Sequence, residues 1–180
     1  SILRTWITEN AGQAQSKEVY RFLKTWQPAV NSLLCDKYSN AALVSSWYAG
    51  LRNNGTCRLQ GAPLDNKTEL MFRYITYRSG GNWEIYLDTL SRTPWKRIPL
   101  KDTKGQWSIE RVNIPAVPGK KDLYFRFSNR SIKDPNQNGV LFEWFRFADP
   151  LPGKGRKGYE GALKRFDELM HAKVTTTPVM

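Results

Sequence analysis

The sequence is poor in the residues from which most catalytic centres are built. Its 180 residues include a single histidine, His171, and only two cysteines, Cys35 and Cys57. One histidine near the end of the chain excludes Ser-His-Asp and Cys-His arrangements from the central part, and two cysteines are too few for a disulfide framework or a zinc site. No P-loop, GxGxxG or HExxH pattern occurs. We therefore expect a protein that is not an enzyme and carries no cofactor.

Acidic residues are also scarce, with 16 Asp and Glu against 28 Lys and Arg. Asp88, Asp102 and Glu143 are present, but any chain of this length offers such carboxylates, and they do not by themselves indicate a glycosidase pair. The net charge of +12 favours an anionic partner, whether nucleic acid or an acidic polysaccharide. The basic residues are scattered singly along the chain, which is typical of a solvated face and makes nucleic acid an unlikely partner.

Long apolar runs are absent too. None reaches the roughly 18 residues that a membrane-spanning helix needs, so we expect no membrane span. Whether Cys35 and Cys57 pair or stay free is not decided by the sequence.

Aromatic residues, in contrast, are abundant: seven Trp, eight Tyr and eight Phe. From about residue 31 to 148 apolar and polar residues alternate with a period of two, which is typical of half-buried strands. In "VLFEWFRF" the alternation places Leu141, Phe145 and Phe147 on one face and Phe142 on the other. Turn signals such as "NNG", "SGGN" and "DPNQNG" separate about eight such segments. The pattern predicts an all-β fold, a jelly-roll β-sandwich.

Helical periodicity is confined to the two ends of the chain. Residues 16–27 and 159–172 carry apolar residues at helical spacing, and Pro28 ends the first segment. Two short helices do not make a core together, so we expect each to pack on the sandwich or on a neighbour. The resulting domain prediction is an N-terminal helical flank at 1–28, a sandwich at 29–150, and a linker with a C-terminal helix at 151–180. We interpret both flanks as edges of neighbouring domains.

Aromatic side chains in loops beside amides are the combination that binds sugars. The flat C–H faces of a sugar stack on aromatic rings, and its hydroxyls need polar partners. Three places in the sequence fit: Trp107 after "DTKGQ", Trp47 and Tyr48 before "AGLRNNG", and Asn136, Gln137 and Asn138 in "DPNQNG". Each also has an ordinary interpretation, as a core residue for the aromatics or as turn chemistry for the amides.

The stretch from about residue 69 to 147 resembles the family 6 carbohydrate-binding modules. Four segments carry the resemblance in order: "LMFRYITYRSGGNWEIYLD", "DTKGQW", "GKKDLYFRFSN" and "NGVLFEWFRF". The resemblance implies a non-catalytic jelly-roll module whose partner is a polysaccharide or oligosaccharide. It also implies that a sugar ring lies between a Trp in the threonine-glycine turn, here Trp107, and a Tyr in an early loop, here Tyr48 or its neighbour Trp47.

The chain departs from the family pattern at two positions. The family uses an Asn at the start of the last strand, where this chain has Leu141, so Asn136 or Asn138 would have to supply the amide. The family's structural calcium uses an acidic residue in the last strand and others near the first strand. The resemblance therefore implies Glu143 and Asp36 as calcium ligands, although the usual paired early glutamates are missing.

The two ends resemble the planctomycete-type cytochrome-associated proteins, in which such a module lies between two larger domains. "YRFLKTWQP" and "LKRFDELMHAKVTTTPVM" carry this resemblance. It implies flanking domains in the same polypeptide and a periplasmic or cell-surface location. Taken together, the sequence observations leave three candidate functions. The first is a sugar-binding module that targets its parent protein to a polysaccharide, and the second is a structural spacer that has lost sugar binding. The third is a basic surface that binds polyanions through charge.

Overall fold

The computed structural model describes residues 2–171, so the end of the predicted C-terminal flank, residues 172–180, lies outside the described residues. The described chain forms two compact units. Residues 27–149 make up one, and residues 2–26 with 150–171 make up the other. None of the helices in this described range is long and apolar enough to cross a membrane.

The smaller unit is helical and contains both ends of the chain. Its helices are α1 (Ile2–Ala11), α2 (Gln13–Lys24) and α3 (Tyr159–His171). Gly12 separates the first two with a φ of 77°, a conformation that glycine adopts without strain. The rings of Phe22, Trp26 and Phe166 pack edge to face, with centroids 5.7 to 6.1 Å apart. The two ends therefore share an aromatic cluster, whereas the sequence led us to expect them to pack separately.

The larger unit is built from nine strands and one short 3-10 turn. The strands are β1 (Val30–Asn31), β2 (Asp36–Val44), β3 (Tyr48–Pro63), β4 (Glu69–Thr76), β5 (Gly81–Leu87), β6 (Lys96–Leu100), β7 (Ser108–Asn113), β8 (Lys120–Ser128) and β9 (Asn138–Ala148), with the turn at Ser32–Leu34. They pair in the order β6-β5-β8-β3-β9-β4-β7, while β1 pairs with β9 and β2 with β3. Every pairing is antiparallel.

The long strand β3 joins the two layers of the sandwich. Its first part, from Ala49 to Arg52, pairs with β9, and its later part, from Thr56 to Pro63, pairs with β8. One layer therefore contains β6, β5 and β8, and the other contains β9, β4 and β7. The predicted all-β jelly-roll sandwich with short terminal helices is confirmed.

The core between the layers is a stack of aromatic rings centred on Trp83. Its indole is fully buried and lies 5.0 Å from Phe125, 4.2 Å from Phe142 and 5.4 Å from Phe145, with interplanar angles below 30°. Phe125 comes from β8, whereas Phe142 and Phe145 come from β9. Trp83 thus connects both layers, and most of the Phe residues are used for packing rather than for a ligand.

A β-bulge in β9 changes which side chains face this core. Along β4, successive residues pair with Phe145, Trp144 and then Phe142, so Glu143 is skipped. Phe142 and Phe145 consequently both face the core, with their rings 5.8 Å apart. The predicted alternation is wrong here: Phe142 takes the core place that strict alternation assigned to Leu141, because a bulge inserts one residue and inverts the side-chain parity beyond it.

Candidate functional site

Trp107 is positioned by a tight turn that is clipped to the end of β4. The backbone N–H of Thr76 donates to the hydroxyl of Thr103 at 2.9 Å, and the N–H of Thr103 donates to the hydroxyl of Thr76 at 3.0 Å. Within the turn, Lys104 and Gly105 have φ values of 53° and 73°, and the Gly105 N–H donates to the Thr76 carbonyl at 3.0 Å. These reciprocal hydrogen bonds hold the turn in place. Trp107, which is half-buried and directly precedes β7, is therefore held in a fixed position.

The ring of Trp107 meets two side chains from different strands. Tyr48, the first residue of β3, lies edge to face with it at a centroid distance of 5.2 Å and an angle of 76°. The guanidinium carbon of Arg73 lies 4.4 Å from the Trp107 ring centroid, within the range of a cation–π contact. Arg73 also forms an ion pair with Glu143 of β9. Two sequence-predicted residues, Trp107 and Tyr48, are thereby brought together.

The geometry of this pair differs from a site that holds a sugar between two parallel rings. Carbon atoms in contact lie about 3.5–4.0 Å apart, so two rings that sandwich a sugar must be separated by about 7–8 Å. The edge-to-face contact at 5.2 Å between Tyr48 and Trp107 leaves no such gap. A sugar can occupy the space between the rings only after they separate.

Leu141 and Asn138 lie on the same side of the sheet as Tyr48. Gly50 pairs with Leu141, and a β-carbon added to Gly50 would lie 3.1 Å from Leu141 Cδ2 and 3.4 Å from Asn138 Oδ1. Because alternate residues of a strand share a face, Tyr48 and Gly50 point the same way. The amide of Asn138 therefore lies on the face of the candidate site. Leu141 lies on the same face, but its apolar side chain is buried.

The remaining predicted sugar contacts are more dispersed. Trp47 lies in the β2–β3 connection with 72% of its surface exposed, and its N–H donates to the Val44 carbonyl at 3.1 Å. Asn136 and Gln137 lie in the turn before β9, where their N–H groups donate to the side chain and the carbonyl of Asp134. Those two backbone hydrogen bonds match the alternative interpretation of Asn136 and Gln137 as turn residues. Trp47 is exposed and could contact a ligand separately from Trp107.

The predicted calcium ligands are each paired with an arginine. Glu143 pairs with Arg73, and Asp36 accepts hydrogen bonds from the Nε and Nη2 atoms of Arg58. These hydrogen bonds are the main reason that the pKa of Asp36 lies below its usual value. No group of three or more His, Cys, Asp or Glu residues that could hold a metal occurs in the described chain. As arranged, Glu143 and Asp36 do not fit a calcium site.

The other two carboxylates considered from the sequence have structural partners. Asp88 accepts a hydrogen bond from the N–H of Asp122 at 3.1 Å and lies 3.4 Å from the Lys121 ammonium. Asp102 accepts from the N–H of Lys104 at 2.8 Å in the turn before Trp107. Both carboxylates therefore support loops.

Sequence reasoning missed two residues of this region, Arg73 and Tyr77. Arg73 interrupts the apolar run "ELMFRYITY". A charged residue within such a run could have indicated that Arg73 has a specific partner. Tyr77 follows β4 with half of its surface exposed, and a β-carbon added to Gly105 would lie 3.0 Å from its ring. Tyr77 thus extends the aromatic surface from the Trp107 turn toward the β4–β5 connection.

Comparison with known proteins shows what this fold is similar to. No family model and no curated protein matches the chain. Among solved structures, a family 6 carbohydrate-binding module from Clostridium cellulolyticum in complex with xylose is 20% identical with a TM-score of 0.55, covering 68% of this chain and 97% of its own. A β-1,3-glucan-binding module of the same family from Bacillus halodurans is 18% identical with a TM-score of 0.56, covering 67% and 95%.

A third similar structure is the carbohydrate-binding module CBM36 in complex with calcium and xylotriose. It is 11% identical with a TM-score of 0.50, covering 68% of this chain and all of its own. At these identities the similarity lies in the fold. Of these three structures, the first is thus a complex with xylose and the third a complex with calcium and xylotriose.

Proposed function

We propose that residues 27–149 form a non-catalytic carbohydrate-binding module. Trp107 provides the main stacking surface, Tyr48 and Trp47 are the further aromatic contacts, and Asn138, Asn136 and Gln137 supply amides. The module targets a larger secreted or periplasmic protein to a polysaccharide. The observation that carries the proposal is the Trp107 turn: hydrogen bonds to Thr76 fix a half-buried indole beside Tyr48 and on the face that carries Asn138.

Binding in this proposal requires the Tyr48 ring to rotate away from Trp107. The contact that is lost is a single edge-to-face pair, worth about 0.5–1.5 kcal/mol. A sugar ring replaces it with contacts to both aromatic faces, so opening costs less than stacking returns. Arg73 remains stacked over Trp107 and covers one face of the indole, so the sugar stacks on the face that Arg73 leaves open.

A second candidate function is a structural spacer between flanking domains. It is favoured by Leu141, a buried apolar residue where the family carries a sugar-orienting Asn, and by the closed contact between Tyr48 and Trp107. The resemblance of the two ends to cytochrome-associated proteins supports such a position within a longer polypeptide. A structural calcium remains a prediction from the separate resemblance to the family 6 modules.

Affinity electrophoresis in gels that contain xylan, β-1,3-glucan or hydroxyethyl cellulose tests the proposal. We expect at least one of these neutral polymers to retard the wild type at both low and high salt, because stacking is insensitive to screening. Trp107→Ala should abolish the retardation. Trp95→Ala is the matched control, since Trp95 is a half-buried tryptophan just before β6, away from the Trp107 turn.

The outcomes separate the two candidates. Retardation that survives salt and is lost only in Trp107→Ala supports a stacking site. If no polymer retards the wild type, the spacer takes precedence. Equal loss in Trp95→Ala and Trp107→Ala would mean that the fold rather than the site had been damaged, and it would contradict a specific role for Trp107.

A further inference from the structure

A buried asparagine in the β8–β9 connection forms hydrogen bonds to β3 and to the β4–β5 connection. Asn129 is 3% exposed. Its backbone N–H donates to Asn53 Oδ1 of β3 at 2.8 Å, and its side-chain Nδ2 donates to the Ser79 carbonyl in the β4–β5 connection at 3.0 Å. Its Oδ1 accepts from the N–H and hydroxyl of Ser131. The backbone at all these points is therefore held in a fixed arrangement.

Each of the three segments joined at Asn129 carries an arginine at the adjoining position. Arg52 precedes Asn53, Arg78 precedes Ser79, and Arg130 follows Asn129. Within residues 2–171 none of these three guanidinium groups lies within 4.0 Å of a carboxylate, unlike Arg58 or Arg73. We call Arg52, Arg78 and Arg130 the arginine cluster. The backbone contacts of Asn129 place the three arginine positions at one end of the sandwich.

The arginine cluster is continuous with the candidate sugar site. Arg52 pairs with Asn138 and lies two residues after Gly50, so it points to the face that carries Tyr48. Arg78 follows Tyr77, whose ring packs over Gly105 in the Trp107 turn. Anionic groups bound at Arg52 or Arg78 would therefore belong to a chain that also reaches the aromatic surface.

A polar groove of about 590 Å³ lies along the other side of the same loops. Its lining includes the amides of Asn53 and Asn82, the hydroxyls of Ser128 and Ser131, Arg130, and the Glu84 carboxylate, which forms an ion pair with Arg97. Amides and hydroxyls are suitable partners for sugar hydroxyls, and a guanidinium is a suitable bidentate partner for a carboxylate or sulfate. The groove thus contains partners for sugar hydroxyls and a partner for an anionic group.

We propose that the arginine cluster binds the carboxylate or sulfate groups of an acidic polysaccharide whose sugar rings contact the aromatic surface of Tyr77 and Trp107. The inference rests on the proposed sugar-binding function and names the class of glycan. It also assigns a binding role to three of the basic residues that contribute to the net charge of +12.

Polygalacturonate and its methyl-esterified form provide a matched pair of probes, because they share a backbone and differ in charge. Affinity electrophoresis of the full chain in either polymer should show tighter binding to the acid form. The triple variant Arg52→Gln/Arg78→Gln/Arg130→Gln should weaken binding to polygalacturonate at least tenfold, since each charge-assisted contact is worth about a factor of ten. Binding to the ester should change little.

The matched control is Arg92→Gln/Lys96→Gln/Lys120→Gln, which removes the same charge from basic residues without carboxylate partners at the opposite end of the strands. Circular dichroism melts of both triple variants establish that they fold. Preserved binding in the control and loss in the arginine-cluster variant support the inference. Equal loss in both triple variants overturns it in favour of diffuse charge attraction.

Further outcomes distinguish this inference from the function on which it rests. Equal binding of the acid and the ester, unchanged in the arginine-cluster variant, overturns the acidic glycan and leaves sugar binding intact. Binding to neither pectin form, nor to any neutral polymer, overturns both. A single-stranded oligonucleotide that binds more tightly than polygalacturonate, and with the same dependence on the arginine cluster, would replace the glycan with a nucleic acid and contradict the inference.

Discussion

Leu141→Asn tests directly whether this sandwich binds sugar in the manner of the modules that it resembles. The resemblance to the family 6 modules places Leu141 at the family's amide position. The residue is buried and lies against Gly50 on the face that carries Tyr48. The substitution would place a carboxamide beside the candidate site without changing the number of side-chain branches. We expect it to increase affinity for a neutral glycan and to lower the stability of the fold.

Both magnitudes follow from the surroundings of Leu141. Burial of a leucine side chain stabilises a protein by about 1.5–3 kcal/mol, and an amide buried without a partner costs about 1–3 kcal/mol. The free energy of unfolding should therefore fall by about 3–5 kcal/mol. One new hydrogen bond to a sugar hydroxyl is worth about 0.5–1.5 kcal/mol, or roughly two- to tenfold in affinity.

Urea unfolding and affinity electrophoresis on xylan and β-1,3-glucan measure the two effects, with Leu141→Met as the volume-matched control. Gain of retardation in Leu141→Asn alone would show that the missing amide limits binding. The reasoning is refuted if Leu141→Asn is as stable as Leu141→Met, because the side chain would then not be buried. Unchanged retardation in a folded Leu141→Asn variant would refute the placement of the sugar near this face.

Three further predictions concern the fold. Trp83→Ala should cost about 3–5 kcal/mol, whereas Trp83→Phe should cost under about 1 kcal/mol in urea unfolding, because it removes an indole N–H that has no hydrogen-bond partner within the described chain; equal costs would contradict this. Burial opposes ionisation of Glu84, yet hydrogen bonds from Tyr86 and Arg126 hold its pKa below the usual value. That stabilisation is complete above the unfolded pKa of about 4.3 and is lost as the pH falls through the folded pKa, so Glu84→Gln should cost about 2 kcal/mol at pH 7 and clearly less at pH 3; a cost independent of pH would disprove the coupling. Cys35 and Cys57 are buried free thiols, and a hydrogen bond to Cys35, with burial, raises the pKa of Cys57. Oxidation with diamide should remove both thiols from a titration on the denatured chain and stabilise the fold by about 3 kcal/mol, while two remaining thiols would show that the pair cannot be bridged.

The sequence was informative where one physical rule acts alone. The two-residue period predicted the strands, because a sandwich buries one face of each strand. The same rule failed at Glu143, since a β-bulge inverts the parity and alternation cannot reveal where a residue is skipped. At the chain ends, helical periodicity predicted the helices but not the contact of Phe22 and Trp26 with Phe166, which joins residues far apart in the sequence.

For the candidate site, the residue types were predictable and their arrangement was not. Trp107 and Tyr48 were both predicted from the sequence. Their edge-to-face contact, however, depends on the hydrogen bonds between Thr76 and Thr103 and on strand pairing, which local sequence does not determine. Arg73 was overlooked because its role depends on a cross-strand partner, Glu143, which the resemblance had assigned to calcium. Contacts across a sheet are set by register, and register is fixed by the whole fold.

Chemical-shift mapping by ¹H–¹⁵N NMR, with oligosaccharides of whichever polymer retards the protein, tests the central claim most directly. The account predicts that the Trp107 indole N–H and the amides of Tyr48, Lys104, Gly105 and Asn138 shift together and saturate with one affinity. Shifts centred on another surface, such as the exposed Trp47 turn alone, would contradict the assignment of the site. An unchanged spectrum at saturating oligosaccharide would contradict sugar binding by this module.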